Sequence, residues 1–296
     1  MYEGIRSPAV HMPKTMGDLI SAATRFPNAI FWAGGSFIMS PSDYYPECDS
    51  PDIIYLGEVS ELKRINRTDR YLEIGAMVTY DQLLSVGKQV LPSLLKKTLE
   101  QVSTKIVRKQ ITVGGSLCTK TLRFSLSGTL AALKGEVEVK TCNGPKTETR
   151  WMEVSRLYDR KGALLLKNNE LVTRIRVAFD REDFSFFIRS GSPLTNSSES
   201  VMLSFASFYN QSVIDKFNMC IILPNTLFLI PHEIDVMMRG SMLPFSTSQI
   251  ERVVRSLSDL IVSQNISEIS PIQIERVKRF VEAALHQLNT ESLGHS

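Results

Sequence analysis

The chain has 296 residues, 43% of them hydrophobic and 22% charged, an ordinary balance for a folded globular protein and unlike that of a disordered chain, a fibre or a coiled coil. Its 34 Lys and Arg against 31 Asp and Glu leave a formal net charge of +3 without a long run of one sign, so no electrostatic footprint for nucleic acid is present. At about 150 residues per domain, the length predicts two domains.

No apolar stretch reaches the roughly 18 residues that a membrane span needs, and the richest, 219–230, is interrupted by Pro224 and Asn225. Residues 1–6 show no basic flank leading into an apolar block, so no secretory leader is expected. Cys48, Cys118, Cys142 and Cys220 are scattered without a C-x-x-C pair. That spacing predicts reduced thiols in a cytoplasmic protein rather than a metal cluster or a redox dithiol.

Taken in chain order, Thr15 with Asp18 predicts a helix start, with Leu19, Ile20 and Ala23 as its apolar face and an end near Pro27. Ala29–Ala33 reads as a buried strand that stops at Gly34-Gly35, followed by strands at Asp52–Leu56 and Tyr71–Ala76. Thr79 caps a short helix through Leu83 and Leu84, and a longer one runs from Pro92 to Val102. Thr112–Ser116 reads as a glycine-containing turn or strand end, with a helix over 127–133 after it. Glu136–Lys140 alternates strictly, which predicts a strand with one face in water. Asn143-Gly144-Pro145 is a turn into another short strand, and 171–179 a further strand. Beyond a boundary at 180–200 come strands at 184–188, 201–209 and 216–223. Two amphipathic helices, 248–262 and 271–288, close the chain.

Most chemistry-bearing motifs are missing. There is no G-x-G-x-x-G and no P-loop lysine. His232-Glu233 lacks the second histidine of a zinc-protease helix, and His11, His232, His286 and His295 are too few for a His-rich metal site. What remains is two Gly-Gly pairs, Gly34-Gly35 after a strand and Gly114-Gly115, each flanked by hydroxyls. Glycine lets backbone approach a ligand closely and turn its N–H groups into an anion-binding concavity. Two such loops, with Ser36, Thr112 and Ser116 adding hydroxyl donors, would suit a pyrophosphate, although either pair also serves as a plain tight turn. Trp32 before the first loop is read as a core strand residue or an adenine stack. Tyr44 and Tyr45 sit in a proline-flanked surface loop.

Trp32-Ala33-Gly34-Gly35-Ser36, Asp52–Leu56 with Val59–Leu62, Ile74–Thr79 and Ile111–Ser116 recur in an order and spacing that resembles the FAD-binding subunit of molybdenum hydroxylases. This group includes xanthine dehydrogenase and the carbon monoxide dehydrogenase medium subunit. The resemblance implies an α+β fold: a two-part FAD-binding domain of the vanillyl-alcohol-oxidase/PCMH type over 1–180, then a small C-terminal α+β domain, a sheet plus helices, over 181–296. It implies FAD as cofactor. The first loop would wrap the pyrophosphate through the amides of Ala33, Gly34, Gly35, Ser36, Phe37 and Ile38. Thr112, Gly114, Gly115 and Ser116 would form the second loop at the pyrophosphate and flavin side, with Thr79 closing a turn nearby and Leu171 an apolar neighbour of the isoalloxazine ring. Arg189 falls where the family often carries Lys. The partners implied are an iron–sulfur subunit and a molybdopterin-binding subunit, with NAD⁺ or another acceptor receiving the electrons; no membrane or nucleic acid is implied.

The chain departs from the family pattern in three places. Ser116 stands where Asn is usual, Thr119–Ser125 lacks the family's Asp, and Phe37 and Ile38 replace small or polar residues. The missing Asp and the Phe37-Ile38 replacement motivate a second reading, a flavin-free homologue serving as a scaffold or docking subunit. A stand-alone flavin oxidase would need a substrate base, and no candidate base is visible.

Overall fold

The structure is a computed structural model that describes residues 9–39, 51–87, 90–119, 125–142, 144, 147–179, 182–190, 199–224 and 226–294. The expectations for Tyr44 and Tyr45, Cys48, 120–124, Asn143, Pro145 and most of the 190–200 loop lie outside these residues.

Three sheets organise the described residues. The first is small and parallel: β1 (Val10–His11), β2 (Ile30–Trp32) and β3 (Ile53–Tyr55), in the order β1-β3-β2. Helix α1 (Met16–Arg25) crosses from β1 to β2. Its capping box is complete: the Asp18 N–H donates to Thr15 Oγ1 at 3.2 Å and the Thr15 N–H donates to Asp18 Oδ2 at 3.2 Å. Leu19 and Ala23 then pack with Ile54, Leu56, Leu62 and Met77. The strand at Ile30–Trp32 is half-buried rather than buried, because only β3 flanks it.

The second sheet is antiparallel, in the order β4-β5-β8-β6-β7: β4 (Ile65–Arg67), β5 (Tyr71–Gly75), β6 (Glu136–Thr141), β7 (Thr149–Glu153) and β8 (Glu170–Ala178). Between β5 and β6 the chain forms α2 (Tyr80–Ser85), α3 (Ser93–Gln101), α4 (Lys105–Arg108), α5 (Val113–Leu117) and α6 (Ser125–Ala132). All eight residues of α6 are buried, as expected of a helix that is apolar around most of its circumference. Its hydroxyls are not orphaned: Thr129 Oγ1 lies 2.7 Å from Thr98 Oγ1 and 3.1 Å from Ser204 Oγ, which offsets the cost of burying them.

Alternation in 136–140 predicted a water-facing side, and here the structure differs. Val137 and Val139 enter the core, yet Glu138 on the opposite face is only 3% exposed. Arg174 binds Glu138 and also Glu73 at 3.2 Å. The Trp151 ring meets both Arg174 and Arg176, whose guanidinium carbons lie 5.7 and 4.2 Å from its centroid. Ion pairs and cation–π contacts roof this face, an arrangement that period-two alternation cannot distinguish from solvent.

The third sheet is an antiparallel meander, β12-β11-β10-β9: β9 (Phe184–Arg189), β10 (Met202–Asn210), β11 (Val213–Leu223) and β12 (Leu227–Leu229). β11 starts earlier than its alternation predicted because Gln211 (φ 48°) and Ser212 (φ 63°) make a tight hairpin in the left-handed region without a glycine to signal it. One face of this sheet packs on α6, where a Cβ at Gly128 would stand 2.8 Å from Ile222 Cδ1. The other carries α7 (His232–Met238), α8 (Thr247–Ser263) and α9 (Pro271–Leu293) over a chain of phenylalanines. Ring centroids lie 5.6 Å apart for Phe184–Phe205, 4.6 Å for Phe205–Phe217 and 6.3 Å for Phe217–Phe245. Ser246 with Gln249 and Ser270 with Gln273 box the starts of α8 and α9. Among the described residues no helix is long and apolar enough to cross a membrane.

Truncating the middle ring of this chain, Phe205→Ala, should destabilise the protein by about 3–5 kcal/mol in urea unfolding; a loss under about 1 kcal/mol would mean that the phenylalanine chain is not what holds the helices to the sheet. The second sheet yields a pH prediction. Burial raises the Glu138 carboxyl, but hydrogen bonds from Arg174 and Thr173 outweigh it and hold the group below the ordinary carboxylate range. Such a group stabilises the fold above its unfolded-state pKa, and that contribution disappears as pH falls through the lower, folded value. Glu138→Gln should therefore cost about 1–2 kcal/mol at neutral pH and flatten the decline in stability below about pH 4. An unchanged acid limb in the variant would assign that decline to other carboxylates.

Candidate functional site

After β2 the chain turns at Gly34-Gly35, and both positions admit only glycine. A Cβ on Gly34 would lie 1.7 Å from the Gln110 carbonyl oxygen, and one on Gly35 2.7 Å from the Trp32 ring. Gly35 also has φ +71°, a conformation that side-chained residues rarely adopt. Trp32 thus serves as the floor of the turn. The Met39 N–H donates to the Gly35 carbonyl at 2.9 Å, closing the loop. Among the described residues the N–H groups of Gly34, Gly35, Ser36 and Ile38 meet no intramolecular acceptor. The first loop therefore offers a row of backbone donors held in place by sterics.

The second loop is built differently. Residues 113–117 form a short helix, α5, rather than the turn or strand end that the sequence suggested. Thr112 caps it, Oγ1 accepting from the Gly115 N–H at 3.1 Å. The Val113 and Gly114 N–H groups donate to Val78 and Ala76 carbonyls at 2.9 and 2.8 Å, and the Ser116 N–H to the Thr112 carbonyl at 3.0 Å. All four amides are engaged within the protein, so this loop supplies a wall and not a set of free donors. Gly114 is required because a Cβ there would come within 2.6 Å of Ala76 Cβ. Gly115 sits directly beside Ala33, 3.4 Å from where its Cβ would be.

The two loops enclose a cleft of about 270 Å³. Ala33, Gly34, Gly35, Ser36, Phe37 and Ile38 line one side; Thr112, Gly115 and Ser116 line the other. Three residues expected at the site stand behind it instead. Thr79 caps α2, its hydroxyl accepting from the Gln82 N–H, and its backbone bridges to Thr112. Gly114 is packed on Ala76, and Leu171 belongs to the apolar cluster around Leu19 and Ile54. Thr79 and the Ala76 contact of Gly114 hold the second loop from outside the cleft. Arg189 stands at the end of β9, partly buried.

The sequence reading missed Ile30, Phe31, Ile111 and Thr119, which with Cys118 complete the lining. Ile30 and Phe31 carried a signal, since they immediately precede the loop on a strand; Ile111 and Thr119 carried none beyond adjacency. The walls are mostly aliphatic and aromatic, with hydroxyls from Ser36, Thr112, Ser116 and Thr119 and the free amides at the first loop. No carboxylate, histidine, lysine or arginine lines the cleft among the described residues. Cys118 does, but burial pushes its thiol up to about 12, which favours the protonated form at neutral pH. A narrow apolar slot with backbone donors along one side suits a flat heteroaromatic group joined to an anion, and none of its described lining residues is fitted to move protons.

Among the described residues, no group of three or more His, Cys, Asp or Glu could hold a metal. Residues 5–178 match the family model described as the FAD binding domain in molybdopterin dehydrogenase. No curated protein matches the chain in sequence. The fold extends over the full length of solved relatives. Quinoline 2-oxidoreductase from Pseudomonas putida 86 superposes with a TM-score of 0.79 at 16% identity, covering 97% of this chain and 98% of that one. Carbon monoxide dehydrogenase from Hydrogenophaga pseudoflava, in a form lacking the Mo-pyranopterin moiety of its cofactor, gives 0.80 at 15% identity over 95% and 97%. The reconstituted CO dehydrogenase from Oligotropha carboxidovorans gives 0.79 at 14% identity over 97% and 99%. At such identities these superpositions speak to the fold, whereas the family model spans more than half of the sequence and includes both glycine loops: the chain belongs to the family of FAD-binding domains of molybdopterin dehydrogenases.

Proposed function

We infer that the chain is the flavoprotein subunit of a molybdenum hydroxylase, taking electrons from an iron–sulfur subunit that is itself fed by a molybdopterin-binding subunit, and passing them to NAD⁺ or another acceptor. In this reading residues 1–180 hold FAD and residues 181–296 form the second domain. The observation that carries it is the loop 33–38, where the amides of Gly34, Gly35, Ser36 and Ile38 are unengaged beside a cleft flanked by two positions that accept no side chain.

The residues present fit FAD. Backbone N–H groups of Gly34, Gly35, Ser36 and Ile38 would hold the pyrophosphate, as donors that neutralise charge without depending on side-chain identity. Phe37, Ile38 and Ile111 would pack on the flat ring systems and keep water from them. Thr112 and Gly115 would set the width of the cleft. When bound, FAD supplies reversible one- and two-electron chemistry, and the protein supplies binding, orientation and polarity. The lack of an acid or base among the described lining residues agrees with a site whose task is electron transfer. The described cysteines Cys118, Cys142 and Cys220 are free, which supports a reducing, cytoplasmic setting.

A flavin-free scaffold is the second reading. It is favoured by the engaged amides of the second loop and by the bulk of Phe37 and Ile38 at the cleft. The visible absorption of the purified protein, taken after incubation with FAD and removal of the excess, separates the two. Retained flavin supports the electron-transfer reading, and a colourless protein supports the scaffold. Gly34→Ala should weaken FAD binding at least tenfold, because its new methyl group collides with the Gln110 carbonyl and forces the loops apart. Gly17→Ala, in open surroundings on α1, should leave retention unchanged. Equal retention by both variants would remove the first loop from the binding site. Anaerobic addition of NADH should bleach the bound flavin if NAD⁺ is the acceptor; an unbleached spectrum would point to a different one.

A further inference from the structure

We propose that Tyr80 is a positioning residue for the FAD cleft, setting through Ser116 where the wall formed by α5 stands. This rests on the FAD reading above. Tyr80 is fully buried behind the cleft and is not part of its lining. Its hydroxyl donates to Ser116 Oγ at 2.8 Å, and Ser116 Oγ donates to the Thr112 carbonyl at 2.9 Å. The direction of this relay is fixed, because a carbonyl cannot donate and each hydroxyl has a single proton. Burial holds the Tyr80 phenol above its ordinary range, so it remains an O–H donor. The Tyr80 backbone completes the grip, its N–H donating to the Ile111 carbonyl at 3.0 Å. One residue thereby holds both ends of the segment 111–116, which lines the cleft through Ile111, Thr112, Gly115 and Ser116.

Two consequences follow from this geometry. A helix as short as α5 does not hold its own position, so its placement against Ala33 depends on such outside contacts. Ser116 has also given its only proton to Thr112, and therefore acts as a link in the wall rather than as a donor to a cofactor phosphate, the role its position in the sequence suggested.

The test is a double-mutant cycle on FAD dissociation constants, read by quenching of flavin fluorescence, with the thermal midpoint of each protein measured alongside. Tyr80→Phe keeps the ring and should weaken FAD binding about tenfold. Ser116→Ala leaves the Tyr80 hydroxyl buried without its acceptor and should weaken binding at least as much. The double variant should bind no more weakly than Ser116→Ala, because removing both partners leaves nothing unpaired. The visible circular dichroism of the flavin should shift in Tyr80→Phe. If Tyr80→Phe fails to fold, Ser116→Ala, which places a good helix former in α5, carries the test. Lowered thermal midpoints with FAD affinities and spectra unchanged would overturn the proposal, leaving Tyr80 a purely structural role. Failure of the unaltered protein to bind FAD would overturn the flavin reading first, and this inference with it.

Discussion

The contact on which the site depends is the approach of Gly34 to the backbone of Gln110. With any side chain at 34 the two would overlap, since the Cβ would come within 1.7 Å of the carbonyl oxygen. Their closeness joins the loop that leaves the parallel sheet to the segment that starts α5 under the antiparallel one. Gly114 repeats the device one layer back, where the chain passes Ala76. Three stretches of backbone, 33–38, 76–80 and 110–117, are thus brought together with almost no side-chain volume between them. The cleft is the space left on the open side of that junction. Because interiors are close-packed, a methyl group at any of these points would be felt across the whole site.

The two glycine loops, alike in sequence, have opposite roles. In the first, the glycines free the amides: the chain turns too tightly for them to find partners within it. In the second, the glycines engage the amides, by letting α5 come close enough to Ala76 and Val78 for their carbonyls to accept. One loop leaves amides unengaged, and the other is a wall whose amides are all used within the protein. This division also suits a cleft whose described lining carries no charged side chain, since fixed backbone dipoles in an apolar surround are effective toward an anion without a cation present.

The rest of the molecule supports this junction. Helix α6 is buried along its whole length, and Thr129 ties it to α3 through Thr98 and to the third sheet through Ser204. The C-terminal meander and its helices cover the far side of α6, so that the helical layer behind the cleft is enclosed by two sheets. On the outer face of the second sheet, Trp151, Arg174 and Arg176 with their carboxylate partners occupy positions that would otherwise face water.

Much of the local structure was legible in the sequence, and for identifiable reasons. Thr15 with Asp18, Thr79 with Gln82, Ser246 with Gln249 and Ser270 with Gln273 set helix starts through contacts three residues apart. Alternation over 136–140 and 171–179 set strands in the same short-range way, and the Gly-Gly pairs marked where side chains are forbidden. What tertiary structure decided involves partners distant in the chain. Whether an amide near a glycine is free or engaged depends on Ala76 and Val78, more than 30 positions from α5. Whether Glu138 meets water depends on Arg174 and Trp151, and whether Ser116 gives its proton to a ligand or to the wall depends on Tyr80 and Thr112. Residue types and short spacings determined which elements form and where backbone can come close. Only the packing of those elements determined which hydrogen-bonding groups were left to face the cleft, because a donor's availability is settled by what else lies within 3 Å of it.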